Sequence, residues 1–242
     1  MYGVPGIPMI GGGQAGVPPV SFELPKNVFR FGEQTLWSSL FLPAAAPLAN
    51  GVNRVFTTPL GQQGQGFGQA LSIAETNLKE GGRIPSGIAF DCFGISVSVG
   101  TTNNDVDAAG SFNATPIATA NRIGNLNNII TNSVITWDFT QTQIDVCPTN
   151  LAGAGGGAFG ALAQVTATGA GALTTTGTLQ NGNGSVWLYR KHPVALPGNS
   201  TFSMLVRFGS RAPALAAAAA GNGSVIVRVV LLGYYKNVVE IA

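Results

Sequence analysis

Charge is scarce in this chain. Asp, Glu, Lys and Arg make up 9% of its 242 residues, against about a quarter in an ordinary soluble domain. The 12 basic and 10 acidic residues leave a net charge of +2. They are scattered, with no basic block of the kind that follows a phosphate backbone, so no specific nucleic-acid site is expected. There is one histidine, His192. It cannot anchor a zinc cluster. A Ser–His–Asp triad would have to use it, yet no Gly-x-Ser-x-Gly elbow occurs. The two cysteines, Cys92 and Cys147, lie far apart without CxxC spacing. Each sits in a strand-like run, which reads as a buried free thiol rather than a disulfide or a metal ligand. The opening residues show neither a basic region nor a continuous apolar one, so no secretory signal is expected. No apolar run approaches the roughly 20 residues of a spanning helix. These absences fit a protein made and assembled in a cytoplasm.

Other chemical motifs fail on closer reading. Residues 61–68 (GQQGQGFG) repeat glycine but lack the Lys-Ser/Thr of a phosphate-binding loop. Asp105 and Asp107 lack the rest of a calcium loop. Asp138 and Asp145 are two acids among ten, and nothing in their spacing marks a glycosidase pair. Asp138, beside Trp137, reads as a polar position of an alternating strand. Trp37, Trp137 and Trp187 read as core or interface anchors rather than a carbohydrate platform. The triplets at Asn113, Asn183, Asn199 and Asn222 match a glycosylation acceptor, but without a secretion signal they read as turn composition. The expected lists of catalytic, cofactor-binding and metal-binding residues are therefore empty. The chain is not expected to be an enzyme, and no cofactor is expected.

What is present is β-structure. Residues 201–208 (TFSMLVRF) put Phe202, Met204, Val206 and Phe208 on one face, the period-two pattern of a half-buried strand. Pro197-Gly198-Asn199 supplies a turn before it. Residues 224–235 (SVIVRVVLLGYY) are β-branched and aromatic, and residues 237–241 form a last extended segment. Residues 88–100 alternate Ile95, Val97 and Val99 against Ser96 and Ser98. Further strands are expected at 21–24, 27–31 and 35–42, with turns between them at Pro25-Lys26 and Gly32-Glu33-Gln34. Others are expected at 54–59, 163–168 and 186–190, and as two strands or one bent one over 134–148. Residues 70–79 suit a strand or a short helix. Ile123, Leu126, Ile129 and Ile130 have helical spacing. About a dozen short strands with irregular connections make an all-β sandwich or barrel, and suit Greek-key or jelly-roll crossing better than a meander. Residues 1–19 are rich in Gly and Pro, apolar and uncharged. They read either as a solvated tail or as an arm that gains burial against neighbouring subunits.

A family resemblance sharpens this picture. The turn and strand of residues 193–208, and the terminal run 225–238 with Leu232-Gly233-Tyr234-Tyr235-Lys236-Asn237, resemble the end of jelly-roll major capsid proteins of tailless icosahedral bacteriophages. The layout of 88–99, then 126–137, then a Gly-rich loop at 153–160, is similar to theirs. Phages with an internal membrane and double jelly-roll capsomers are the nearest comparison. The likeness spans about half the chain and rests on patterns rather than invariant residues. It implies an arm at 1–19 and a capsid domain at 20–242, with strands standing upright in a shell. A single roll with extra strands is the expectation, because two rolls need about sixteen strands. The alternative is a compact double roll divided near 20–110 and 120–242.

The function the resemblance implies is a structural virion protein that self-assembles into an icosahedral shell around the genome, after assembly in the host cytoplasm. The implied partners are other copies, a penton or spike protein, and an internal lipid membrane met by the arm. The other function considered is a phage spike or fibre head, or a lectin-like binding module.

Overall fold

The structure is a computed structural model that describes residues 27–64, 66–101, 116–139, 142–153, 158–168, 172–181, 186–189, 192–215 and 224–240. The arm at 1–19, the expected strand at 21–24, Asp105, Asp107, Asn113, Asn183 and Asn222 lie outside these residues. In chain order the elements are β1 (Asn27–Leu42), β2 (Val52–Val55), β3 (Ile88–Thr101), α1 (Pro116–Asn132), β4 (Ser133–Phe139), β5 (Thr142–Pro148), β6 (Ala158–Thr168), β7 (Ala172–Asn181), β8 (Trp187–Leu188), β9 (Val194–Leu196), β10 (Phe202–Phe208) and β11 (Val225–Glu240).

The protein is all-β; the described residues form two larger antiparallel sheets, a two-stranded hairpin and one α-helix. The first sheet runs β1-β11-β3, and the short strands β8 and β9 both pair with the far side of β3. The second runs β2-β10-β4-β5. A separate hairpin, β6–β7, lies beside α1.

Period-two alternation drives the packing. From the first sheet, Leu36 and Leu40 of β1, Ile95 and Val97 of β3, and Val227 and Val229 of β11 turn inward. From the second come Met204 and Val206 of β10 and Ile135 and Trp137 of β4. All belong to one hydrophobic core. Trp137 is the largest side chain in it, 1% exposed. Its ring stacks on Phe139 at 5.5 Å, and its Nε1 donates to the Tyr189 hydroxyl at 2.7 Å. In α1, Leu126, Ile129 and Ile130 are buried, as their spacing implies.

Several expectations are corrected. Gly32-Glu33-Gln34 is not a turn. β1 is continuous through it, because all sixteen of its residues pair with β11 from Asn27↔Glu240 to Leu42↔Val225. By the same pairing, residues 237–240 continue β11 rather than forming a separate segment. The strand expected at 54–59 is β2, which ends at Val55. Phe56 follows with φ 68°, a left-handed conformation that no strand continues through and that a bulky residue rarely adopts. It is held there by full burial, by a hydrogen bond from its N–H to Ser38 Oγ (2.9 Å), and by its carbonyl accepting from Gly82 N–H (2.7 Å). Residues 70–79 form neither strand nor helix but turns and isolated bridges. The helix is 17 residues long, extending well before Ile123. The strand at 163–168 is the end of the longer β6, β7 was not anticipated, and β8 keeps only two residues of the expected 186–190.

One glycine is required by close approach. Between Leu232 and Gly233 the β11–β3 ladder carries a bulge. A Cβ on Gly233 would lie 2.2 Å from Phe90 Cζ and 2.5 Å from the Asp91 carbonyl oxygen. Only glycine lets the two strands stay paired beyond that irregularity.

Candidate functional site

The two sheets present opposite chemistry to the outside. On the second sheet, the outward positions of adjacent strands carry Arg54, Ser203, Asp138 and Gln143. They close on one another. Arg54 Nη2 lies 3.0 Å from Asp138 Oδ2, Ser203 Oγ donates to the same oxygen at 2.9 Å, and Gln143 Nε2 donates to Asp138 Oδ1 at 3.1 Å. Next to them Thr136 Oγ1 donates to Asp145 Oδ1 at 2.7 Å, and Arg207 Nη1 reaches that oxygen at 3.5 Å. Asp138 and Asp145 therefore sit on one sheet face, each already engaged by an arginine and a hydroxyl. An antiparallel sheet ordinarily turns such a polar face outward, although here Thr136, Ser203 and Leu205 of the same face are buried.

The first sheet departs from that rule. Its outward row along β11 is Ile226, Arg228, Val230, Leu232 and Tyr234. The cross-strand partners on β1 are Phe41, Ser39, Trp37, Thr35 and Glu33. On β3 the partners of Ile226, Arg228, Val230 and Leu232 are the small residues Gly100, Ser98, Ser96 and Gly94, and the Phe93 ring packs against Tyr234 at 5.1 Å, tilted by 37°. Trp37, Phe41, Val230 and Leu232 are all partly exposed. Arg228, the one cation in the middle of the row, is tied down by bonds to Ser39 Oγ (3.4 Å) and to the Ala74 carbonyl (2.6 Å). The β1 side of the row is partly covered by the chain's own loop, since Phe67 packs on Phe41 at 5.6 Å and Ser39 is buried. What remains open is a shorter apolar strip along β11, of the kind that marks an interaction surface.

The edges of the sandwich also differ. The free edge of β1 is covered. The Asn77 side chain mimics a strand, accepting from Trp37 N–H at 2.8 Å and donating to the Thr35 carbonyl at 2.7 Å. The opposite side is open. Among the described residues, no strand pairs with the outer edge of β5, and Ile144 on it is 50% exposed. Between β5 and the β8–β9 edge lies a groove of about 620 Å³, lined chiefly by aromatic and aliphatic side chains such as Trp137, Phe139, Ile144, Trp187 and Tyr189. His192 and Asp145 stand on its wall.

The residues singled out in the sequence are thus dispersed. Trp137 is core, Trp187 borders the groove, and Trp37 lies on the apolar face with its Nε1 donating to the Ile73 carbonyl at 2.9 Å. Asn199 occupies the turn before β10, with φ 64°. Among the described residues, no three His, Cys, Asp or Glu side chains come together as metal ligands, and no helix is long and apolar enough to cross a membrane. Neither the apolar face nor the groove was legible as a site in the sequence, because each is assembled from separate strands. The only local trace was the low charge.

Cys92 and Cys147 are both free and buried. Burial pushes the Cys92 thiol up to about 12 and the Cys147 thiol to about 11. It also pushes the Tyr189 and Tyr235 phenols up to about 12. All four are neutral acids that resist ionising in the folded chain, so the unfolded chain releases its protons first. Stability from these groups is full below about pH 8.5 and is lost as pH rises from about 9 toward 12. Thermal melts across pH 7 to 11 should show a flat Tm and then a decline. A Tm that stays level to pH 11 would contradict this. A thiol reagent at pH 8 should label neither cysteine until denaturant is added.

No family model, curated protein or solved structure matches the chain.

Proposed function

We propose that the chain is a structural virion subunit: a single jelly roll that self-assembles, as a major capsid protein, into an icosahedral shell around a genome. The fold part of this reading is supported by the pairing order. With the β6–β7 hairpin set aside and β8 and β9 counted as one interrupted strand, eight strands remain. The first pairs with the eighth, the second with the seventh, the third with the sixth and the fourth with the fifth. Wrapping such a long antiparallel hairpin gives sheets in the order 1-8-3-6 and 2-7-4-5, the jelly-roll arrangement of two Greek keys. Each sheet draws strands from both halves of the chain, which favours one roll over a division near residue 110.

The observation that carries the functional reading is the two-faced sandwich. One outer face carries the ion-paired cluster around Asp138 and Asp145, and the other a partly exposed apolar strip along β11. With 9% charge overall, such a subunit has little to hold it in solution as a monomer. Burying that stripe against a second copy is the simplest use of it. A penton or spike protein and an internal membrane are further partners on this reading, the membrane through residues 1–19.

Sedimentation velocity and negative-stain microscopy of the purified chain test the proposal. Uniform shells tens of nanometres across, or rings of subunits, are the expected species. A monodisperse monomer or trimer that never assembles would sink it. Removing residues 1–19 should leave a folded domain, since the core lies within Leu36–Leu231, but should block closed shells. Intact shells from the truncated chain would remove the arm from the account.

One observation favours a second reading. The aromatic groove at the β5 edge has the size and lining of a small-ligand site, as a spike head or lectin-like module would need. That reading predicts a soluble oligomer and a saccharide bound beside Trp187.

A further inference from the structure

The groove between β5 and the β8–β9 edge is open and lined mainly by aromatic and aliphatic side chains, and among the described residues no strand pairs with the β5 edge beside it. Those properties suit an extended, uncharged, apolar peptide. Of the uncharged apolar segments in the sequence, one carries the Pro-x-x-Pro spacing. Residues 4–9 read Val-Pro-Gly-Ile-Pro-Met, and no charged residue occurs before Glu23. Pro5 and Pro8 are three apart. In a polyproline II helix, with three residues per turn, they fall on one face with Val4 and Ile7 beside them. Aromatic-lined grooves take Pro-x-x-Pro segments in this form, because the ligand is already extended and loses little freedom on binding.

Reach allows such a segment to enter the groove of its own copy or of a neighbour. Seventeen residues lie between Met9 and Asn27, a span that extended covers up to about 60 Å. The radius of gyration of a folded chain of this length is only about 18 Å. The groove of the same copy lies about 15 Å across the sheet from β1, three strand spacings away. The arm is therefore long enough to leave its own sandwich and enter the next.

We propose that residues 4–9 of one copy dock, in polyproline II form, into the β5/β8–β9 groove of a neighbouring copy. Trp187, Tyr189 and Ile144 would contact Pro5, Ile7 and Pro8. This rests on the reading that copies assemble, and it names the contact that joins them on the side away from the apolar face.

The test uses full-length chain carrying the photo-crosslinker p-benzoylphenylalanine at position 7, mixed with an equal amount of ¹⁵N-labelled chain. The mixture is assembled, irradiated and mapped by mass spectrometry. Cross-links between light and heavy copies, landing on residues 137–146 or 186–194, are expected. The variant Ile144→Asp, at a half-exposed position that the fold tolerates, should lower their yield about tenfold. The pair Pro5→Ala and Pro8→Ala should lower it several-fold. Cross-links to the groove within single copies only would overturn the neighbour-supplied arm. Cross-links that fall elsewhere would overturn the docking site. If free oligosaccharide also quenches Trp187 fluorescence, the groove belongs to a lectin-type ligand instead. Light scattering on the same mixture reports assembly separately. Shells without groove cross-links defeat this proposal and leave the capsid reading standing, whereas no assembly defeats both.

Discussion

Trp137→Ala should lower the unfolding free energy of the subunit by about 3–5 kcal/mol, the range for truncating a large buried aromatic. The side chain is 1% exposed and sits where the two sheets meet. Its loss opens a void lined by Phe139 and Phe202, whose rings lie 5.5 and 6.1 Å away. It also takes the indole donor from the Tyr189 hydroxyl. Trp137→Phe separates the two effects. It keeps most of the ring and should cost about 1–2 kcal/mol, the scale of one lost buried hydrogen bond with a small cavity. Chemical denaturation of dissociated subunits is the measurement. A loss under about 1 kcal/mol for the alanine variant would mean that the core is not organised around this residue.

The second large effect concerns assembly rather than folding. Val230→Asp should leave the subunit folded, with stability changed by about 1 kcal/mol, because the side chain is partly exposed on an outer face. In the proposed shell the new carboxylate would be buried against a neighbour without a partner. At about 2–3 kcal/mol per contact, that raises the concentration needed for assembly by roughly 30- to 150-fold. Sedimentation should show subunits only, at concentrations where the parent chain is fully assembled. Arg54→Ala on the polar face is the control and should still assemble. Shells formed equally well by the Val230 variant would take the apolar stripe out of the interface.

Much of the fold was legible in the sequence. The strands over 88–100, 201–208 and 224–235 announce themselves by alternation, and the turn at Pro197-Gly198-Asn199 by composition. The misreadings have a common cause. Gly32-Glu33-Gln34 has turn chemistry, but its partner lies two hundred residues away on β11, and sixteen paired positions outweigh a local preference. Residues 54–59 have strand chemistry, but Phe56 is drawn into the core by a backbone turn that no local pattern encodes. Candidate surfaces are harder still. The stripe of Trp37, Val230 and Leu232, and the groove of Ile144 with Trp187, exist only after β1, β11, β5 and β8 have been brought together. In the sequence their residues look like ordinary strand positions.

If copies meet through the first sheet's outer face, hydroxyl-radical footprinting of the full chain, assembled and dissociated, should reveal it. Trp37, Val230, Leu232 and Tyr234 should become protected on assembly, while Arg54, Gln143 and Arg207 on the polar face keep their reactivity. Protection of the polar face with no change at Trp37 and Tyr234 would contradict it.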